Sequence, residues 1–397
     1  MIKVAIAGFG VVGSGVAELL TGCGPEVHKK ADEMVELKYI LERKKIEGPL
    51  RSYGVGDFSL IEQDPEVDVV VETIGGVGAA LEFTERAFKA GKSVVTSNKE
   101  LVAQHGDRLL ELARLHGVSY RFEASVGGGI PILRPLSECM AANEILEICG
   151  ILNGTTNYIF TQMISRGMSF EDALRKAQEN GFAERDPSAD IQGHDTCRKV
   201  CILASIALGW HVLPEQVPTT GITGVTLADA ANAAACGRKV KLLGRAIRRN
   251  ERDVCAFVEP HLVSEENPLA GVEGVFNAIT VKGSATGDVM FYGKGAGKLP
   301  TASAVVADVI AVARRMTGGG SYAVWQPNRP QGALSPDSVS SRWYVRLDQG
   351  EMPGAEPLAR PQSASDGKAY LTQTMTRPEL NALLEGKQVL SVIRVLD

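Results

Sequence analysis

The sequence of 397 residues lacks the features that mark a secreted, zinc-stabilised or membrane protein. Its seven cysteines are an odd number and form no Cys-x-x-Cys pair, which argues against a disulfide framework and against a structural zinc site. No apolar run is long enough to span a bilayer, and the N-terminus, "MIKVAIAGFG", enters a strand-like segment without a signal peptide. We therefore expect a cytoplasmic protein with reduced thiols and no membrane partner.

An excess of basic charge is also missing. The chain has 42 Lys and Arg residues against 47 Asp and Glu residues, which gives a net charge of −5. A domain that binds nucleic acid needs a basic face, so we expect no nucleic-acid partner. The composition, 44% hydrophobic and 22% charged, is that of a globular protein with enough residues for two or three domains.

What the sequence does contain is a regular alternation of strand-like and helix-like segments. "IKVAIA" is a strand that leads into the helical "GFGVVGSGVAELL". The alternation continues through a strand predicted at 92–99 and a helix predicted at 106–117 to the strand "VSYRFEASV" (118–126). This order predicts a Rossmann-type α/β fold with a doubly wound parallel sheet, followed by a mixed α+β domain. The predicted domains are a dinucleotide-binding domain at 1–130 with 300–317, a catalytic and dimerisation domain at 131–299, a linker at 318–340 and a tail at 341–397.

A glycine motif follows the first strand. "GFGVVG" places Gly8, Gly10 and Gly13 in the GxGxxG spacing at the start of a helix, where backbone N–H groups can hold a pyrophosphate. A plain glycine-rich turn is the alternative. After the second strand come Glu42, which would favour NAD, and then Arg43 and further bases, which would favour NADP. The residues alone leave this choice open.

Two further segments follow later strands. "TSNKE" places Lys99 where open α/β sheets bind ligands, although a surface lysine at a helix start is equally common. "FEASVGGGIP" places Glu123 before three consecutive glycines, 127–129, whose exposed carbonyls could join a carboxylate around a hard cation. A hinge between domains would have the same spacing.

The most highly charged stretch is "FAERDPSADIQGHDTCRKV" (182–200), which leads into a helix predicted at 194–208. Asp195 and Lys199 are four residues apart and share one helical face, and Glu184 and Asp190 lie in the preceding loop. An ammonium held by Glu184 and Asp195, beside a lysine that exchanges a proton, would suit an amino-acid-like alcohol. A solvated i,i+4 salt bridge is the alternative.

Taken in order from residue 1 to about 316, these stretches resemble the homoserine dehydrogenases. The most specific set is "EASVGGGIPI", "NGTTNYI" and "DPSADIQGHD" followed by "RK". The resemblance implies NAD(P)-dependent interconversion of L-homoserine and L-aspartate 4-semialdehyde, in the biosynthesis of threonine, methionine and isoleucine. Another NAD(P)-dependent amino-acid or semialdehyde dehydrogenase is the nearest alternative, and a catalytically silent dinucleotide sensor is an alternative of another class.

The resemblance also implies roles for individual residues. Lys199 would exchange the proton of the substrate oxygen, and Lys99 would lie beside the cofactor and the reacting carbon. The implied substrate-binding residues are Glu184, Asp190 and Asp195. The implied contacts to NADP or NAD are Gly8, Phe9, Gly10, Val11, Val12, Gly13, Arg43, Ser97, Lys99, Gly181 and Gly297. The implied sodium ligands are Glu123, Val126, Gly128 and Ile130. The family also implies a homodimer or a homotetramer.

The tail departs from the pattern of many family members, which end in an ACT regulatory domain. "WYVRLD" resembles the first strand of that domain, and "ELNALLEGKQVLSVIRVLD" resembles its last helix and strand. The segment between them, "GEMPGAEPLARPQSASDG", is too rich in Pro, Gly and Ser to form its first helix. We therefore expect a shortened ACT-like tail and weak or absent inhibition by threonine.

Overall fold

The structure is a computed structural model, and it describes residues 1–316, 325–358 and 367–397. The chain divides into two units, each assembled from three stretches of sequence. The first unit comprises Met1–Asn143, Cys201–Pro214 and Gly293–Arg329, and the second comprises Glu144–Val200, Glu215–Tyr292 and Pro330–Asp397.

The described residues form twelve α-helices and fifteen strands. The helices are α1 Val11–Gly22, α2 Gly24–Ala31, α3 Ser59–Glu62, α4 Gly78–Lys89, α5 Lys99–Leu115, α6 Gly154–Arg166, α7 Phe170–Glu179, α8 Ser188–Ile191, α9 His194–Leu208, α10 Leu227–Ala235, α11 Lys298–Met316 and α12 Arg377–Leu384. The strands are β1 Ile2–Ala7, β2 Val35–Leu41, β3 Gly54–Val55, β4 Val67–Glu72, β5 Ser93–Thr96, β6 Tyr120–Arg121, β7 Ile145–Ile151, β8 Arg238–Arg248, β9 Val254–Ser264, β10 Phe276–Gly283, β11 Gly287–Lys294, β12 Trp343–Leu347, β13 Glu356–Pro357, β14 Lys368–Leu371 and β15 Val389–Leu396.

The first unit is built on a parallel sheet with the strand order β3-β2-β1-β4-β5-β6. Its inner strands are almost continuously apolar because both faces are covered, and α1 and α11 share one core with β1 and β4. Strands β2 and β4 lie on opposite sides of β1, so the strand order reverses there and creates a topological switch point beside the carboxyl end of β1. The predicted doubly wound sheet is confirmed.

The predicted bounds of one strand and one helix of the first unit are wrong. The predicted strand 118–126 is paired only at Tyr120–Arg121 and then turns into a short 3₁₀-helix, Glu123–Ser125. The helix predicted at 106–117 starts at Lys99, because the Asn98 side chain accepts a hydrogen bond from the Leu101 N–H and caps the helix there. Lys99 is therefore the first residue of a helix, not the end of a strand.

The second unit is built on a nine-stranded mixed sheet in the order β11-β10-β7-β8-β9-β15-β12-β14-β13. Its longest pairing is antiparallel, between β8 and β9, and runs from Arg238↔Ser264 to Arg248↔Val254. Helices α6 and α10 pack against β8. The mixed α+β character predicted after residue 130 is confirmed.

The tail continues this sheet. Strand β15 joins β9 in parallel at Arg394↔His261, and β12 pairs with both β15 and β14. The Arg346 guanidinium of β12 donates to the fully buried Asp229 carboxylate of α10, at 2.8 Å for Nε. Between β12 and β14 the described residues contain the short β13 but no helix, and 359–366 lie outside them. The shortened ACT-like tail, with weak or absent inhibition by threonine, stays a prediction.

The predicted linker at 318–340 is only partly described, since 317–324 lie outside the described residues. Trp325 is 3% exposed, and its ring lies so close to Gly106 that a Cβ there would be 2.3 Å from a ring atom. Further on, Ala333 forms a parallel bridge with Val254. The predicted linker is therefore anchored at Trp325 and at Ala333, while most of its other described residues are exposed or partly exposed.

Candidate active site

A buried lysine and aspartate lie at the start of α9. The Lys199 Nζ donates to the Asp195 Oδ2 at 2.8 Å and to the Leu152 carbonyl at 2.7 Å. Lys199 is 8% exposed and Asp195 is 6% exposed, so the pair differs from the solvated i,i+4 bridge considered above. Removing a charged pair from water costs free energy, which must be offset by its hydrogen bonds. Such burial is common where a group has a chemical role.

Asn153 connects this pair to Asp190. Its Nδ2 donates to Asp190 Oδ1 at 2.7 Å and to Asp195 Oδ2 at 2.9 Å, while its Oδ1 accepts the Thr156 N–H as the cap of α6. Burial, and then the charge of Asp195, raise the pKa of Asp190 above its usual value. Asn153 was not among the predicted site residues, although an asparagine directly before a helix is a recognisable capping signal.

Glu184 is exposed on the loop between α7 and α8, and its carboxylate has no partner among the described residues. Its carbonyl accepts a hydrogen bond from the Gln178 side chain at 3.1 Å, which ties the loop to α7. Glu184, Asp190, Asp195 and Lys199 all belong to the second unit. The structure therefore presents one buried network and one exposed acid within a single unit.

The predicted cofactor loop lies after β1 in the first unit. Gly8 has φ +97°, and a Cβ at Gly13 would lie 2.0 Å from the Gly8 carbonyl, so both positions require glycine. At Gly10 a Cβ would meet nothing within 4 Å, and the start of α1 has no side-chain cap. These features fit the fingerprint in which the first and third glycines shape the turn and the second leaves room for a pyrophosphate.

Glu42 holds this loop in place. Its carboxylate accepts hydrogen bonds from the backbone N–H groups of Phe9 at 3.1 Å, Arg43 at 2.8 Å and Lys44 at 3.2 Å. The hydrogen bonds from Lys44 and Phe9 are the main reason that the pKa of Glu42 is lowered. Arg43 and Lys44 are exposed beside it. The acid that could have favoured NAD thus binds the protein backbone, while the bases face outward.

Lys99 and Ser97 lie on the carboxyl side of β5, where a second buried acid organises the chain. Glu72 is 1% exposed and accepts hydrogen bonds from the Thr96 hydroxyl at 2.6 Å and from the Ile74 N–H at 2.7 Å. Burial raises the pKa of Glu72. Asn98 donates to the Gly76 carbonyl at 2.6 Å, which links the turn after β4 to the first residue of α5. No local pattern in the sequence predicts this role of Glu72.

The Glu123 carboxylate is hydrogen-bonded to the backbone of the segment that follows the three glycines. It accepts three backbone N–H groups, from Ile132 at 2.7 Å, Leu133 at 2.9 Å and Arg134 at 2.8 Å. Among the described residues no cluster of three or more His, Cys, Asp or Glu could hold a metal ion. The predicted cation site has one carboxylate, Glu123, with the carbonyls of Val126, Gly128 and Ile130, and it stays a prediction.

The two remaining candidate cofactor contacts are glycines next to helices. Gly181 has φ +72° and follows α7 in the second unit, and Gly297 has φ +127° and precedes α11 in the first unit. Both are exposed. Their role in cofactor binding stays a prediction.

Comparison with known proteins identifies the family. The sequence model of the homoserine dehydrogenase NAD-binding domain matches residues 8–123, and the model of the homoserine dehydrogenase domain matches residues 131–310. A homoserine dehydrogenase of Pseudomonas aeruginosa is 39% identical over 368 residues, covering 89% of this chain and 83% of the relative. The chain belongs to the homoserine dehydrogenase family. The homoserine dehydrogenase of Corynebacterium glutamicum is 41% identical, covering 80% of this chain and 73% of that protein.

Solved structures of homoserine dehydrogenases agree with this assignment. That of the Thiobacillus denitrificans protein matches with a TM-score of 0.89 at 34% identity, and covers 100% of this chain and 98% of that chain. A hyperthermophilic archaeal homoserine dehydrogenase in complex with NADPH matches with a TM-score of 0.67 at 29% identity, over 79% of this chain and 98% of that one. The predictions of an α/β dehydrogenase fold and of an oxidoreductase acting on a CH–OH group are confirmed. No helix in the described residues has the length and hydropathy to cross a membrane.

Proposed function

We propose that this member of the homoserine dehydrogenase family interconverts L-homoserine and L-aspartate 4-semialdehyde at the network formed by Asn153, Asp190, Asp195 and Lys199. The observation that carries the proposal is the buried Lys199 ammonium, held by Asp195 and by the Leu152 carbonyl. The reaction would be a step in the biosynthesis of threonine, methionine and isoleucine from aspartate. The domain at 1–130 with 300–317 would bind the nucleotide, and the domain at 131–299 would bind the substrate and form the dimer interface.

Lys199 would move the proton of the reaction. An ammonium has three N–H donors, and two of those of Lys199 are used by Asp195 and Leu152. The third can be donated to the carbonyl oxygen of the semialdehyde, or in the reverse direction the neutral amine can accept the hydroxyl proton of homoserine. The bound nicotinamide supplies the complementary hydride chemistry. Lys99 is assigned to the cofactor and the reacting carbon.

The acids would hold the substrate ammonium. Glu184 is exposed with no partner for its carboxylate among the described residues, so it can accept from an incoming amino group without first breaking a bond. Asp190 and Asp195 are fixed by Asn153 and would complete the negative end of the site. Charge-assisted hydrogen bonds of this kind are about twice as strong as neutral ones.

The proposed cofactor is NADP rather than NAD. Glu42 uses its carboxylate on the backbone of Phe9, Arg43 and Lys44, and is therefore not available to bind a ribose 2′-hydroxyl. The exposed Arg43 beside it suits a 2′-phosphate. The other proposed contacts are Gly8, Phe9, Gly10, Val11, Val12, Gly13, Ser97, Lys99, Gly181 and Gly297.

A monovalent cation, proposed as Na⁺, would be held by the Glu123 side chain and by the main-chain carbonyls of Val126, Gly128 and Ile130. A positive φ at Gly127 and Gly128, +73° and +55°, turns the backbone sharply there, which can bring successive carbonyls toward one point. The proposed assembly is a homodimer or a homotetramer.

The direct test is to measure homoserine-dependent reduction of NADP⁺ and of NAD⁺ side by side. Activity with homoserine, and a higher kcat/KM with NADP⁺, are the expected results. A chain that binds dinucleotide but reduces neither cofactor in the presence of homoserine would instead be a dinucleotide sensor.

A further inference from the structure

Asn153 is the point at which three segments of the second unit meet. It is 5% exposed, and each polar atom of its amide has a partner. Its Nδ2 contacts Asp190 of α8 and Asp195 of α9, and its Oδ1 accepts the Thr156 N–H of α6. These partners fix the orientation of the amide, because a carboxylate needs a donor and a backbone N–H needs an acceptor.

Two carboxylates directed at one amide nitrogen repel each other unless something between them compensates. The charged groups that face Asp190 are Asp195 and Lys199 of α9, while α6 contributes the neutral side chains of Asn153 and Thr155. Burial and Asp195 raise the pKa of Asp190, and the hydrogen bond from Asn153 is the first of the effects that lower it. The amide therefore helps to keep Asp190 ionised.

We infer that Asn153 is a positioning residue of the reaction, whose amide holds Asp190 and Asp195 together as a charged pair and thereby orients Lys199 through Asp195. The inference rests on the proposed function, because it concerns the carboxylates and the lysine to which that proposal gives roles. Asn153 itself has no contact assigned to the substrate.

Helix capping alone does not explain an asparagine at this position. Serine, threonine and aspartate cap a helix N-terminus about as well. Aspartate offers no donor when ionised, and a serine or threonine hydroxyl has one hydrogen to donate, against two on an asparagine amide. Holding Asp190 and Asp195 uses both hydrogens of the Asn153 amide, whereas capping α6 uses only its oxygen.

The test is the variant Asn153→Ser, which retains a capping oxygen and removes the amide. The expected result is a fall of about 10-fold to 100-fold in kcat/KM for homoserine, the factor that corresponds to one lost hydrogen bond to a charged group. Without the amide the pKa of Asp190 rises further, so Asp190 loses its charge at a higher pH. The acid limb of the plot of kcat/KM against pH should therefore move to higher pH, whereas KM for NADP⁺ should change little.

Asn153→Asp is the second variant. It also keeps the cap, but it places a third carboxylate against Asp190 and Asp195, so the acid limb should move further than in Asn153→Ser. This variant keeps the test decisive if Asn153→Ser does not fold, as judged by circular dichroism and NADPH binding.

Ser169→Ala is the matched control. Ser169 caps α7 by accepting the Asp172 N–H at 3.1 Å, and it has no hydrogen bond to the network of Asn153. Losing this cap should lower the melting temperature by a few degrees and leave the pH profile unchanged. If the Asn153 variants behave in the same way, with a lower melting temperature and a wild-type pH profile, the inference is overturned.

The inference can fail independently of the proposed function. A wild-type chain that reduces NADP⁺ with homoserine, together with Asn153 variants of unchanged kcat/KM and pH profile, rejects the positioning role alone. A wild-type chain without homoserine-dependent activity rejects the function and the positioning role together.

Discussion

At the residue scale, the choice between NADP and NAD depends on what the Glu42 carboxylate and the Arg43 guanidinium each bind. Since Glu42 is bound to the backbone of the glycine loop, we expect Arg43 to carry the selection for the 2′-phosphate of NADP. Arg43→Ala should raise KM for NADP⁺ by about 10-fold or more, as expected for the loss of a charge-assisted contact, and should leave KM for NAD⁺ nearly unchanged. Steady-state kinetics with both cofactors measure this.

The control for that measurement is Lys30→Ala, which removes an exposed positive charge from α2. It tests whether a general loss of positive charge weakens binding of the more anionic cofactor. Equal effects of Arg43→Ala on both cofactors would contradict the assignment.

The role of a residue could be predicted where its partner lies within a few residues in the sequence, and not where the partner is distant in the sequence. Asp195 and Lys199 could be paired from their four-residue spacing, and the structure places them 2.8 Å apart. The contacts of Asn153 span 37 and 42 residues, and those of Glu42 to Phe9 span 33, so no local pattern encodes them. The Glu123 carboxylate accepts three backbone N–H groups that no sequence pattern predicted, and its role as a cation ligand stays a prediction.

At the scale of elements, the position of α8 depends on the loop that follows α9. The Ile222 N–H donates to the Ile191 carbonyl at the end of α8. Gly221 packs so closely that a Cβ there would lie 2.2 Å from the same carbonyl and 2.6 Å from the Gln192 Cα. We predict that Gly221→Ala displaces α8, which carries Asp190, and raises KM for homoserine about 10-fold while KM for NADP⁺ stays within about twofold.

Gly224→Ala is the matched control, since a Cβ at Gly224 would meet nothing within 4 Å. It should leave both KM values unchanged. If Gly221→Ala gives the kinetics of Gly224→Ala in steady-state assays, the loop does not position α8.

Among the elements, the long periodic ones were predictable and the short or exposed ones were not. The helix predicted at 194–208 has those bounds in the structure. By contrast, Gly287–Lys294 forms β11, an edge strand with no fully buried residue, and it was not predicted. Strand β6 is limited to two residues because the chain turns at Glu123, whose side chain binds the backbone of residues 132–134. Such side-chain contacts override strand propensity.

At the scale of the whole molecule, the proposed cation would stiffen the segment from Glu123 to Ile130. Activity or melting temperature should therefore be higher in NaCl or KCl than in tetramethylammonium chloride at the same ionic strength, because the bulky cation cannot enter a ring of carbonyls. Thermal unfolding and steady-state rates in the three salts measure this. Identical melting temperatures and rates in all three salts would contradict the proposed cation site.

The central claim is that Lys199 moves the proton, and kcat of Lys199→Met at saturating homoserine and NADP⁺ tests it most directly. The expected result is a loss of about 100-fold or more, the usual effect of removing a general acid–base group, with fold and NADP⁺ binding intact. Lys241→Met is the control, because Lys241 is a buried lysine of the same unit that binds Asn157 and the Val272 carbonyl. It should lower the melting temperature without a comparable loss of kcat. Near-wild-type kcat in a well-folded Lys199→Met enzyme would contradict the claim and leave Lys99 as the better candidate.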